Sequence, residues 1–212
     1  MQTKQQIQHL LASAGVTPNK RLGQHFLIDL NLMRLLVGSA GICHSDIVLE
    51  VGCGTGSLTE ALVETAGLVI AVEYDKTLAK IAAGQLKDAD NLRIINADVL
   101  ENKNTLCPTV IEQLEDAKSG FSGRLMLIAN LPYNTAAAVM LNLITGPVTV
   151  DSMFVTVQKE VAQRMVAAPG TGDYGTLSIF MAAAGDVRII RKLAASVFWP
   201  RPQVESAMVS FT

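Results

Sequence analysis

The stretch Val48-Leu49-Glu50-Val51-Gly52-Cys53-Gly54-Thr55-Gly56 decides the fold. An apolar run, IVLEV at 47–51, meets three glycines at alternate positions, and a helix-compatible segment begins near Ser57. A strand buried on both faces reads as a near-continuous apolar run, and glycines at its carboxyl end let the backbone turn sharply beside a ligand. Outward from this stretch the pattern recurs: LVIAVE at 68–73, LRIIN at 92–96, RLMLIAN at 124–130 and SMFVTVQ at 152–158 alternate with helix-compatible segments. The alternation predicts an α/β fold, a doubly wound, mostly parallel sheet wrapped by helices on both faces. The last quarter changes character. A helical stretch at 159–168, a PGTGDYG loop and an apolar helix precede VRIIRKL at 187–193 and AMVSF at 207–211, which flank FWPRPQVES and predict an antiparallel hairpin at one sheet edge.

Towards the N-terminus, Ile7, Leu10, Leu11 and Ala14 fall at helical spacing with Gly15 as terminator. After the basic loop PNKRLGQHF, Asp29 is placed to cap a second helix that runs to Gly41. With 212 residues, half of them hydrophobic, the chain can bury one compact core. The expected organisation is an N-terminal segment of helices and loop at 1–45 leading into a catalytic unit at 46–212. No run approaches the roughly 18 apolar residues of a membrane span, and the polar N-terminus lacks the pattern of a signal peptide. A soluble, cytoplasmic, monomeric protein without a membrane partner is therefore expected. Cys43, Cys53 and Cys107 are odd in number and far apart, and His9, His25 and His44 show no i,i+4 pair, so neither a disulfide framework nor a metal site is expected.

Net charge is −2, but it is unevenly spread. Lys4, Lys20, Arg21 and Arg34 near one end, and Arg188, Arg191, Lys192 and Arg201 near the other, face only Asp29 and Glu205, which leaves the middle acidic. If the two ends converge in space they form a basic rim suited to a polyanion.

Glu50 precedes the glycines, Glu73 ends the second apolar run 21 residues beyond Gly52, and Asp98 follows the third. Three carboxylates delivered after three successive strands point to a nucleoside cofactor, with Glu73 positioned for ribose hydroxyls. A nicotinamide dinucleotide would call for GxGxxG, and Ser57 stands where its third glycine is required. The observed ExGxGxG turn suits a cofactor without phosphate, such as the cation S-adenosylmethionine. A nicotinamide oxidoreductase is accordingly the weakest reading.

The fourth run leads into Asn130-Leu131-Pro132-Tyr133. An adenine amine is a poor nucleophile because its lone pair is delocalised into the ring. Methylating it calls for acceptors that hold its hydrogens and turn the lone pair toward the methyl group. The Asn130 side-chain oxygen and the Leu131 carbonyl, followed by the stiffening Pro132, are two such acceptors, and no strong base is needed. Tyr133, and Phe198 beside Pro200 and Pro202, are candidate aromatic faces for a flipped base.

The NLPY turn resembles that of the ribosomal RNA adenine dimethyltransferase family. Further matching stretches are KRLGQHFLID at 20–29, VLEVGCGTGSLTEAL at 48–62, NADVL at 96–100, VQKEVAQRM at 157–165, DYGTLS at 173–178 and FWPRPQVESAMV at 198–209. The resemblance implies a class I, Rossmann-like, seven-stranded methyltransferase fold. It also implies S-adenosylmethionine-dependent dimethylation of two adjacent adenosines near the 3′ end of small-subunit ribosomal RNA, in ribosome biogenesis. By the same resemblance, Gln24, His25 and Leu27 fold over the methionine part of the cofactor, Gly52 and Gly54 contact it with Glu50 nearby, Glu73 binds the ribose and Asp98 the adenine amine. Asn130 touches cofactor and substrate, and Tyr133 and Phe198 sandwich the target base. The family usually carries Asn at the position of His25, so a backbone contact transfers there and a side-chain contact does not. The family also continues past FxPxPxVxS into a small, basic helical domain, which these 212 residues are expected to lack. Two other readings stay open: the related large-subunit ribosomal RNA adenine methyltransferases that confer antibiotic resistance, and a non-catalytic RNA- or DNA-binding assembly or transcription factor.

Overall fold

The computed structural model describes residues 1–19 and 22–212; Lys20 and Arg21, the first residues of the KRLGQHFLID stretch and part of the basic count above, lie outside the described residues. The chain opens with α1 (Lys4–Ser13), then β1 (Phe26–Leu27), α2 (Leu30–Ala40), β2 (Ile47–Val51), α3 (Ser57–Val63), β3 (Leu68–Glu73), α4 (Lys76–Gln85) and β4 (Leu92–Asn96). A small hairpin, β5 (Leu100–Asn102) and β6 (Thr105–Leu106), leads to α5 (Pro108–Gly120), β7 (Leu125–Asn130), α6 (Ala136–Thr145) and β8 (Ser152–Gln158). The remainder comprises α7 (Lys159–Met165), α8 (Thr176–Ala184), β9 (Val187–Leu193), β10 (Phe198–Trp199) and β11 (Ser206–Phe211).

Among the described residues one seven-stranded sheet runs in the order β4-β3-β2-β7-β8-β11-β9. β4, β3, β2, β7 and β8 pair in parallel, and their bounds follow the apolar runs read from the sequence. The C-terminal hairpin has a more specific place than a sheet edge. Its second strand, β11, inserts between β8 and β9 and is antiparallel to both, so β9 forms the edge.

Side chains of a strand alternate between faces, and β2 divides the core accordingly. Ile47, Leu49 and Val51 join the cluster containing Leu114 of α5 and Val139 of α6, whereas Val48 joins Met33 and Leu36 of α2 and Leu62 of α3. α2 is thereby built into the same core as the sheet, and Ile7 and Leu11 of α1 pack against Leu78 of α4. Asp29 caps α2 through the amides of Asn31 and Leu32, and Gly41 ends it in the left-handed conformation, φ 54°. Two-residue pairing of β1 with β10 then ties residues 26–27 to 198–199.

Asp46 sits at the entrance to β2 and is 1% exposed. Its carboxylate takes an ion pair from Arg124 at 2.6 Å and the amides of Cys43 and Arg124, each at 2.9 Å. Burial acts to raise its pKa, but these donors outweigh it and hold the carboxyl well below the usual range. Its stabilising contribution is therefore complete above the unfolded carboxylate pKa and lost only as pH falls through the lower folded value. Asp46→Ala should lower the unfolding free energy at pH 7 by about 2 kcal/mol, because it removes a buried charged acceptor from two part-buried amides and from the half-exposed Arg124 guanidinium. Denaturant titration at pH 7 measures this; a loss under about 0.5 kcal/mol would mean the pair is dispensable.

Candidate active site

Chain order reverses at the centre of the sheet. From β2 it proceeds through β3 to β4, then returns to β7 on the other side of β2, which makes the carboxyl ends of β2 and β7 a switch point where α/β sheets hold ligands. A cavity of about 320 Å³ lies there, bounded by the ends of β2, β3 and β7, the loop after β4 and the 22–27 segment.

Its floor is the glycine turn. Gly52, Gly54 and Gly56 have φ of 78°, 60° and 86°, in the left-handed region that side chains rarely adopt. A Cβ on Gly52 would lie 3.0 Å from Pro132 Cγ, and one on Gly54 would lie 2.9 Å from the Phe26 ring. The turn is held from outside by Gln2, whose amide donates to Ser57 Oγ at 2.7 Å and whose Nε2 donates to the Thr55 carbonyl at 2.9 Å. Nothing in the sequence pattern singled out Gln2, since its partners lie more than 50 positions away.

Glu50, Glu73 and Asp98 all line the cavity, and no Lys or Arg among the described residues does. Glu73 anchors the turn: Oε2 accepts from the Gly54 amide at 2.8 Å and Oε1 from the Asp75 amide at 2.9 Å. Burial still pushes its pKa up, against the effect of those amides. Glu50 is 2% exposed and its Oε2 lacks a hydrogen-bond partner among the described residues. Burial pushes its carboxyl up to about 8, with the charge of Glu73 adding to the effect. Asp98 is exposed and accepts the Leu100 amide at 3.0 Å. Tyr74, 61% exposed at the rim, was not anticipated, although its place directly after Glu73 was the available signal.

Across the cavity, Asn130 ends β7 with both halves of its amide engaged. Nδ2 donates to the His25 carbonyl at 2.8 Å, and Oδ1 accepts from the Thr156 hydroxyl. Leu131, Pro132 and Tyr133 also line the cavity. Tyr133 is half-buried and its hydroxyl pairs with Ser206 Oγ at 2.7 Å; burial raises the phenol pKa. The Gln24, His25 and Leu27 segment closes the side, with Gln24 Nε2 donating to Asp75 at 3.3 Å. The His25 ring stacks on Tyr133, centroids 5.4 Å apart, while Nδ1 meets the Pro200 carbonyl at 2.6 Å.

Phe198 departs from the expectation of an aromatic face opposite Tyr133. Pairing of β10 with β1 turns it inward, where it is 2% exposed in the core with Leu27, and it does not line the cavity. The ring facing Tyr133 is that of His25. Trp199 stacks on Phe26 at a centroid distance of 6.2 Å. Among the described residues no cluster of His, Cys, Asp or Glu is arranged for a metal, the three cysteines are free, and no helix is long and apolar enough to cross a membrane.

Comparison with known proteins adds relatives to this geometry. The small-subunit ribosomal RNA methyltransferase A of Bifidobacterium longum subsp. infantis is 39% identical over 97% of the chain and 66% of its own length. That of Geobacillus thermodenitrificans is 38% identical over 96% of the chain and 67% of its own length. The chain thus spans about two thirds of the length of these relatives. Among solved structures, a dimethyladenosine transferase from Plasmodium falciparum superposes with TM-score 0.73 at 28% identity, covering 88% of this chain and 62% of that one. The 23S rRNA methyltransferase ErmE gives 0.67 at 26%, covering 88% and 68%. The family model described as ribosomal RNA adenine dimethylase matches residues 15–212, a span that holds the glycine turn, all three carboxylates and the NLPY turn, and the chain belongs to that family.

Proposed function

We propose that this protein transfers methyl groups from S-adenosylmethionine to the exocyclic amines of two adjacent adenosines near the 3′ end of small-subunit ribosomal RNA. The observation that carries the reading is the juxtaposition of the NLPY turn at the end of β7 with a carboxylate-lined cavity free of described basic side chains. Such a wall suits a cationic, phosphate-free cofactor and opposes a dinucleotide. The positive φ at Gly52 and Gly54, beside which Pro132 and Phe26 pack closely, keeps side chains out of the turn that lines the cavity.

When bound, S-adenosylmethionine supplies an electrophilic methyl group on a sulfonium. The protein's own residues orient the nucleophile: Asn130 Oδ1 and the Leu131 carbonyl accept the amine hydrogens, and the Tyr133 face receives the base. Glu73 takes the ribose, Asp98 the adenine amine, and the 24–27 segment covers the methionine end. The RNA lies on a basic surface where the two chain ends meet. Exposed Arg191 and Lys192 of β9 share a shallow depression with Asn31 and Leu35 of α2 and with Asp29, whose carboxylate caps that helix, and Arg34 is exposed on the same helix. Phosphate contacts from such side chains supply most sequence-independent affinity.

Incubating the protein and labelled cofactor with purified, unmodified small and large ribosomal subunits tests the reading. Dimethyladenosine in small-subunit RNA is expected. Label confined to large-subunit RNA would favour the activity named for ErmE, with which this chain shares 26% identity. RNA binding without label on either would favour an assembly factor.

The raised pKa of Glu50, about 8, adds a pH prediction. At pH 7 the unliganded carboxyl is mostly neutral, and a cation stabilises its ionised form, so cofactor binding releases a proton. Affinity should therefore rise between pH 6 and 7.5, by up to about tenfold per unit. Calorimetry in buffers of different ionisation enthalpy measures the released proton. Glu50→Gln should flatten the profile, and an equal slope in that variant would assign the proton elsewhere.

A further inference from the structure

We propose that Thr156 is a positioning residue for the methylation proposed above, its hydroxyl fixing the orientation in which the Asn130 amide meets the substrate amine. Thr156 lies mid-strand in β8, directly across the parallel pair from Asn130, and is 1% exposed. A threonine between Val155 and Val157 reads as a β-branched packing residue. Valine would fill the same volume, and a hydroxyl buried in a sheet is costly unless it is bonded. Here it is bonded, to Asn130 Oδ1.

The terminal torsion of asparagine is soft and roughly two-fold, so an unrestrained amide presents oxygen or nitrogen almost equally well. At Asn130 both ends are specified. The His25 carbonyl accepts from Nδ2 at 2.8 Å, and a carbonyl has no hydrogen to give, so the amino half must face it. The Thr156 hydroxyl then holds the oxygen half from the other side. One lone pair of Oδ1 is used in this way and the second is left for an amine hydrogen. The same residue secures the next acceptor, because the Thr156 carbonyl receives the Leu131 amide at 3.1 Å and so sets the peptide plane at the start of the NLPY turn. Thr156→Val removes only the hydroxyl bond and leaves this backbone bond intact.

A double-mutant cycle with full chains tests the assignment. Thr156→Val is expected to lower kcat about tenfold, the scale of one lost hydrogen bond in the transition state, with cofactor Kd and Tm nearly unchanged. Thr156→Ser, which keeps the hydroxyl, should recover kcat to within about twofold. In an Asn130→Ala background Thr156→Val should cost nothing further, since no amide remains to orient. An unchanged kcat in Thr156→Val, equal impairment of the Val and Ser variants, or an undiminished loss in the Asn130→Ala background would each overturn the assignment. Absence of methyl transfer by the unmodified protein would instead remove the reaction. The coupling then stands or falls on the NMR signals of the Asn130 side-chain amide, identified by their loss in Asn130→Asp. Signals shifted in Thr156→Val and retained in Thr156→Ser support it; signals identical in all three proteins overturn it.

Discussion

Asn130→Ala should lower kcat for adenine methylation by about a hundredfold, the scale found when one preorganised acceptor or donor is removed from a transition state. Cofactor affinity should change by no more than about threefold, because the lost group acts mainly as the amine approaches the methyl. The side chain is held by the His25 carbonyl and the Thr156 hydroxyl, so its oxygen is aimed before substrate arrives and little reorganisation accompanies the reaction. Asn130→Asp is a sharper comparison. It keeps an acceptor but sets a carboxylate oxygen against the His25 carbonyl, where only a donor fits, so it should fall well below the natural protein despite its near-identical shape. Single-turnover rates with cofactor saturating, set beside calorimetric Kd values, separate rate from binding. A loss in Kd with an unchanged rate at saturating cofactor in Asn130→Ala would mean that Asn130 serves the cofactor alone.

How much of this was legible in the sequence depended on whether a feature was local. The runs at 47–51, 68–73 and 152–158 coincide with β2, β3 and β8, because strands buried on both faces show a near-continuous apolar signal between polar breakers, and the run at 92–96 coincides with β4, a half-buried edge strand. The cap at Asp29 and the stop at Gly41 were equally readable, since each acts within one turn of helix. The placement of β11 between β8 and β9 depends on pairings that cross the C-terminal quarter of the chain, and no residue in AMVSF encodes which neighbour it takes. Phe198 shows the same limit in reverse. Flanking prolines suggest an exposed loop, yet a two-residue pairing with Phe26 and Leu27, some 170 positions earlier, turns the ring into the core. Thr156 and Gln2 carried no signal at all: a threonine in a strand is ordinary, and a glutamine near a terminus is more so. Their partners supply their meaning.

Glu73→Ala is expected to do the reverse of Asn130→Ala and weaken cofactor binding by about a hundredfold, with kcat at saturation changed little. The carboxylate serves two masters. Each oxygen already accepts one backbone amide, Gly54 on one side and Asp75 on the other, so the turn that lies against the cofactor and the loop that precedes α4 are both hung from it. Each oxygen retains a second lone pair for a ribose hydroxyl. Two hydrogen bonds to a charged acceptor, at about 1.5 kcal/mol each, account for the hundredfold figure without any contribution from the turn relaxing. Glu73→Gln, usually the mild replacement, should not rescue. Its amide offers one oxygen and one NH2 group, and whichever way it is turned, the NH2 faces a backbone N–H that needs an acceptor. Glu73→Gln is therefore expected to bind within about threefold of Glu73→Ala, whereas a group acting only through its shape would be fully replaced. Calorimetric titration of S-adenosylmethionine into both variants, with Tm as a check on folding, gives the answer. Unchanged affinity in Glu73→Ala would remove the residue from the site, and full recovery in Glu73→Gln would mean that only the ribose contact matters and the anchoring of the glycine turn does not.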